Sequence, residues 1–158
     1  MDFIEQLPPS SEFTAILVVV DHLTKQGIFI PTIDTITSEE LTLLFIIHVY
    51  SKHGCPNNNT SDCGIEFISH FTRALGEALN MHLHFTSGYH PEANRQAEHT
   101  NQTLEQYIHM YCNYRQDDWS TLLPLVEFAY NNTPNVTTGV TLFFANKGYH
   151  PNITVHPE

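Results

Sequence analysis

The sequence predicts a mixed α/β domain with an antiparallel opening followed by helical crossovers. Three observations predict it. Residues 14–21, TAILVVVD, form an almost unbroken β-branched run, as a strand buried on both faces does. Residues 27–31, GIFIP, follow after a short polar connection, as the second arm of a hairpin would. From residue 38 onward apolar residues recur at helical spacing in several separate stretches.

Taken in order, residues 2–7 read as a short first strand stopped by Pro8-Pro9. Strands at 14–21 and 27–31 follow, joined through Thr24-Lys25-Gln26, with Pro31 ending the third. Ser38 is the expected cap of a helix whose first turn holds Glu39 and Glu40, where negative charge suits the helix dipole. Leu41, Leu44, Phe45, His48 and Val49 continue its apolar face, and Gly54 and Pro56 end it. Residues 57–62, NNNTSD, stand where a fourth strand is expected but are polar and poorly suited to one. A helix over roughly 66–80 carries Phe67, Phe71, Ala74, Leu75 and Ala78 on one face. His82 to Phe85 reads as a fifth strand, and Gly88 to Pro91 as a loop. A long helix over roughly 92–113 presents Ala97, Leu104, Ile108 and Tyr111. Asp117 or Asp118 caps a further helix to Asn131, with Trp119, Leu122, Leu123, Val126 and Phe128 as buried packing. A short turn near 142–145 closes the pattern.

The chain of 158 residues suffices for one domain with a core, and no stretch reaches the roughly 20 apolar residues of a membrane span. The opening MDFIEQLPPSSE lacks the basic and apolar regions of a secretory signal. Three cysteines without a CxxC pair argue for a reducing, intracellular setting, nucleus or cytoplasm. Net charge is −11 with only six Lys plus Arg, so composition by itself argues against a nucleic-acid partner.

Three carboxylates nevertheless fall at chemically telling places. Asp2 lies on the first strand, Asp62 at the end of the fourth, and Glu98 in the first turns of the long helix. Such a trio suits a two-metal site. Mg²⁺ or Mn²⁺ takes oxygen ligands, and two ions about 4 Å apart stabilise the attacking and leaving oxygens of a phosphoryl displacement. With seventeen acids in the chain, three scattered surface charges would look the same, and Glu66 and Glu92 flank the same loops. His48, His53, Cys55, Cys63 and His70 are a rival zinc set, but their spacing matches no closed Cys/His pattern.

The segments MDFIEQLP, ILVVVDHLTK, TSDCGIEF, FTSGYHPEANRQAEHTNQTLEQY, WSTLLPLVEFAYNNTPNVTTG and FFANKGYHP run end to end through the chain. In that order they resemble the integrase catalytic core of gypsy-class long-terminal-repeat retrotransposon Pol polyproteins, itself similar to the retroviral core. The resemblance implies a ribonuclease H-like mixed five-stranded sheet flanked by helices. It implies a single domain over 1–158 whose first strand is truncated at the N-terminus. It implies the D,D(35)E trio, matched here by Asp2, Asp62 and Glu98, holding Mg²⁺ or Mn²⁺ for 3′-end processing and strand transfer. The implied partners are DNA, both element ends and target, with RNA as a further nucleic acid, and a second copy of the chain. Tyr89, His90, Arg95, Gln96, Asn101 and Gln102 match positions near the DNA, and Lys25 is a candidate phosphate contact or a plain hairpin-tip lysine. Gln102 and Glu105 also fit a solvated helix face.

Several positions depart from the family pattern. Cys63, His99 and His22 stand where basic residues are usual, Arg95 where glycine is usual, Asn94 where an acid is usual, and Leu142 where proline is usual. Fewer cations mean weaker phosphate binding. A catalytically inert relic, retaining at most nucleic-acid binding or self-association, is the alternative reading.

Overall fold

The structure is a computed structural model. It describes residues 1–61, 63–81, 91–136 and 138–152, with the side chains of residues 65, 91–98 and 111 left aside. The described strands are β1 (Asp2–Ile4), β2 (Ala15–Val20) and β3 (Gly27–Thr32), antiparallel in the order β1-β2-β3. The register sets Asp2 opposite Val18 and Leu17 opposite Ile30.

β2 is the central described strand, and its alternation sorts the core into two layers. Ile16 and Val18 face one side, with Ile4 and Phe29, against Leu104, Ile108, Trp119, Leu123 and Val126. Leu17 and Ile30 face the other, against Leu41, Phe45, Val49, Phe71 and Leu75. The first layer is covered by α4 (Pro91–Tyr111) and α5 (Trp119–Asn131), the second by α1 (Ser38–Phe45) and α3 (Ile65–Leu79). This is the sandwich of helices on both faces of a sheet that the sequence predicts. No described helix is long and apolar enough to cross a membrane.

The expected first strand is cut short at Ile4, because Gln6 turns left-handed at φ 59°. Pairing resumes beyond it where Leu7 N–H donates to Thr14 O at 3.0 Å and where Ser10 and Phe13 form an isolated antiparallel bridge. Pro31 does not end β3 but pairs with Ile16 inside it. It can do so because the odd residues of β3 turn their backbone groups away from β2, where a missing N–H breaks no ladder bond. The fourth strand expected over 57–62 does not form over its described part, consistent with the polar run Asn57 to Asn59. The fifth, at 82–85, lies outside the described residues.

Helix α1 is capped by Thr37, not Ser38. Thr37 is extended, its hydroxyl accepts from Glu40 N–H, and the Glu40 carboxylate takes the Thr37 N–H at 2.9 Å. The helix widens into a π-helical stretch, Ile46–Tyr50, before the short α2 (Ser51–His53), and Gly54 ends it at φ 79°. Phe128 is 40% exposed and so is not part of the core. Asp118 occupies the cap position of α5, but its carboxylate is used on Asn113 N–H at 3.2 Å. The cap bond comes instead from Ser10, whose hydroxyl accepts from Ser120 N–H at 3.1 Å. Trp119 Nε1 donates to Pro8 O at 2.7 Å beside it. The turn expected at 142–145 is a helix, α6 (Leu142–Lys147), capped by Thr141.

Helix α5 also secures the outer edge of β3. Asn131 accepts from Gly27 N–H at 2.9 Å and donates to Gly27 O at 2.8 Å. Glu127, one turn earlier, accepts from Phe29 N–H at 2.7 Å. Burial pushes the Glu127 carboxyl above the ordinary glutamate range, against the opposing pull of that N–H and of Lys52.

Candidate metal centre

Asp2 lies at the start of β1. Its Oδ1 accepts the N–H of Phe3 at 2.8 Å, and its Oδ2 accepts from Asn101 Nδ2 at 2.6 Å. The second bond is short, as charge-assisted bonds are. It spans 99 residues and ties α4 to β1. Leu104 and Ile108, further along α4, enter the same core layer as Ile4. The apolar periodicity of the helix thus sets which side faces the sheet, and Asn101 reaches the carboxylate from that side.

Position 98 lies three residues before Asn101, about one helical turn, within α4. The side chains of Glu98, Arg95 and Gln96 are not among those described, and Asp62, Tyr89 and His90 lie outside the described residues. The approach to position 62 is visible. The Met1 amino group donates to Thr60 O at 2.6 Å, and Asn59 Nδ2 contacts Met1 Sδ at 3.5 Å. Residues 59 and 60 therefore lie against the start of β1, next to Asp2. Ser61 is buried, and its hydroxyl accepts Cys63 N–H at 3.2 Å.

Asn101 is partly buried and turned toward β1. Its Nδ2 is spent on Asp2, and its Oδ1 is buried with no hydrogen-bond partner among the described residues. A buried acceptor left alone costs roughly 1–3 kcal/mol. Hard divalent cations and their waters take such oxygens together with carboxylates, so Asp2 and Asn101 fit Mg²⁺ or Mn²⁺. Among the described residues no three His, Cys, Asp or Glu side chains gather as a metal-holding group.

Gln102 and Glu105 are exposed on α4, as a solvated face requires. Lys25 is partly exposed in the β2–β3 turn at φ 67°. Asp21 organises that turn by accepting from Thr24 N–H and the Thr24 hydroxyl. Burial would raise the Asp21 carboxyl, but these bonds and that from Leu23 outweigh it, and the group stays below its ordinary value. The register places this turn beyond Val18, at the end of the sheet that carries Asp2.

No family model matches the chain. Curated relatives do. The Transposon Tf2-3 and Tf2-4 polyproteins of Schizosaccharomyces pombe are each 32% identical over 154 residues, 98% of this chain. The chain spans 12% of the length of these polyproteins. Among solved structures, the catalytic core domain of BIV integrase superposes at TM-score 0.62 with 16% identity, covering 90% of this chain and 89% of that one. The HTLV-2 integrase catalytic core domain in complex with magnesium gives 0.63 with 16% identity, covering 90% and 91%. A chain of the simian T-cell lymphotropic virus intasome in complex with PP2A regulatory subunit B56 gamma gives 0.67 with 17% identity, covering 99% and 56%.

The chain is homologous to a segment of the Tf2 retrotransposon polyproteins and shares the fold of retroviral integrase catalytic cores.

Within this fold, the described sheet of three strands is the antiparallel opening. Of the expected site residues, the structure brings together Asp2 and Asn101 and sets the helix carrying position 98 beside them. The resemblance places Asn101 beside the helix glutamate and near DNA, and the structure adds its bond to Asp2. The signal was present: a residue three positions from the helix glutamate shares its face. Thr100 and Tyr130, whose hydroxyls lie 3.2 Å apart, were not singled out for the site at all.

Proposed function

We propose that this chain is the catalytic core of a retroelement integrase, a polynucleotidyl transferase that processes DNA 3′ ends and joins them to target DNA. The observation that carries the reading is the Asp2–Asn101 pair, which docks the helix bearing position 98 onto the strand bearing Asp2. Asp2, Asp62 and Glu98 hold the metal ions, and Asn101 keeps the Asp2 carboxylate turned to its task. Bound Mg²⁺ or Mn²⁺ would supply activation of the attacking oxygen and stabilisation of the leaving one. No covalent enzyme intermediate is needed, so no side-chain nucleophile is assigned. Tyr89, His90, Arg95, Gln96, Gln102 and Lys25 are the positions that would lie along DNA. The structural neighbours include an intasome and a magnesium complex, which supports DNA, a divalent ion and self-association as partners here. RNA is not part of this reading.

The acidic balance, −11 with six Lys plus Arg, favours a second reading: an inert relic of the same ancestry. One experiment separates the two. The folded chain is incubated with branched DNA and Mn²⁺ in the reverse of strand transfer, beside Glu98→Gln and Asp2→Asn controls. Product that falls at least about a hundredfold in both controls is expected for a working metal centre. No product from a chain shown to be folded establishes the relic.

A further inference from the structure

The loop of contacts behind the Asp2–Asn101 pair runs through α5. Tyr130 is partly buried, and its ring packs edge-on against Phe29 with centroids 5.3 Å apart. Gly27 leaves the room for it, since a Cβ there would stand 2.8 Å from the Phe29 ring and 3.0 Å from that of Tyr130. Asn131, the next residue, clamps Gly27 through both backbone groups. The Tyr130 hydroxyl is thus carried on a rigid mount, and it meets the hydroxyl of Thr100 at 3.2 Å. Thr100 is 2% exposed.

Thr100 and Asn101 are adjacent on α4, so they leave the helix about 100° apart. One is bonded toward α5 and the other toward β1. Among the described residues, Leu104 and Ile108 add apolar packing of this part of α4 into the shared core, with Tyr107 against it. Apolar packing is non-directional and tolerates a small roll of the helix, whereas a hydrogen bond weakens steeply with angle.

We propose that the Thr100–Tyr130 hydroxyl pair is a positioning contact that sets the roll of α4 and so holds Asn101 against Asp2. Tyr130 and Thr100 touch no substrate; they act through Asn101. The inference rests on the reading of Asp2 as a metal-holding carboxylate, and its test carries one readout that does not.

The test compares the 158-residue chain with Thr100→Val, Tyr130→Phe, the double variant and the conservative Thr100→Ser, all well below their melting temperatures. Mn²⁺ affinity is measured by direct titration. The side-chain amide of Asn101 is followed by NMR for its shift and its exchange with water. Each single variant is expected to bind Mn²⁺ about threefold to tenfold more weakly, the double variant no more weakly than either, and Thr100→Ser close to the parent. The Asn101 amide is expected to exchange faster in Thr100→Val and Tyr130→Phe. Variants that melt earlier yet keep both the Mn²⁺ affinity and the Asn101 amide of the parent would reduce the pair to ordinary packing and overturn the proposal. If the parent itself takes up no Mn²⁺, the metal reading falls, and the Asn101 amide alone decides whether the pair positions α4.

Discussion

A single amide on α5 makes two buried backbone bonds across 104 residues of sequence. Asn131 is 4% exposed, and both Gly27 groups depend on it. Asn131→Ala leaves a donor and an acceptor unpaired in the interior, so it is expected to cost about 3 kcal/mol in urea unfolding. A loss below about 1 kcal/mol would mean that water replaces the amide and that the site is more open than drawn. Contacts of this kind were invisible in the sequence, since nothing local links an asparagine in NNTPN to a glycine after a hairpin turn. Asp2 is a site candidate through the family resemblance, and what the structure adds is its place at the start of β1. The bond from Asn101 to Asp2 was not legible, because a polar residue on a helix looks alike whether it meets DNA or a carboxylate.

At the scale of elements, local chemistry explains what could be read and what could not. The capping box at Thr37 and Glu40 is a sequence-local signature, and only the choice between neighbouring Thr37 and Ser38 needed coordinates. The π-helical stretch in the same helix left no such signature. The cap of α5 is the opposite case, supplied by Ser10 from the loop that carries Pro8. Ser10→Ala is expected to destabilise the fold by about 1–2 kcal/mol. Its mark is local: amide exchange speeds up at Ser120 and Thr121 more than at Leu123 and Val126. Uniform acceleration along α5 would instead assign Ser10 to general packing. The hydrophobic runs of β2 and β3 were read almost to the residue, whereas β1 shrank because a left-handed Gln6 interrupts it, a conformation no propensity announces.

For the molecule as a whole, acidity and stability meet at Glu127. Its folded carboxyl titrates above the ordinary glutamate value because burial disfavours the charge. The folded chain therefore keeps a proton that the unfolded chain releases. The stabilisation is complete below the unfolded value and is lost as pH rises through the folded one. Glu127→Gln keeps an acceptor for Phe29 N–H without the charge. Thermal melts are expected to show this variant a few degrees above the parent at pH 7 and level with it near pH 4. A gap of equal size at both values would detach the effect from titration. The two-layer core was legible at this scale, since alternating and helical periodicities assign most of its members. The fourth strand expected over 57–62 does not form over its described part, because the polar run at 57–59 gives no sheet signal of its own.

The bonds that α5 makes along β3 bear on how this sheet can grow. With Gly27 and Phe29 engaged and Pro31 lacking an N–H, that margin is sealed against any further strand. Among the described residues no strand covers the far side of β1, where residues 59 and 60 already rest and where Asp2 stands. Any strand that extends the sheet beyond the three described must therefore pair along β1, so growth of the sheet and the surroundings of Asp2 share one side of the molecule.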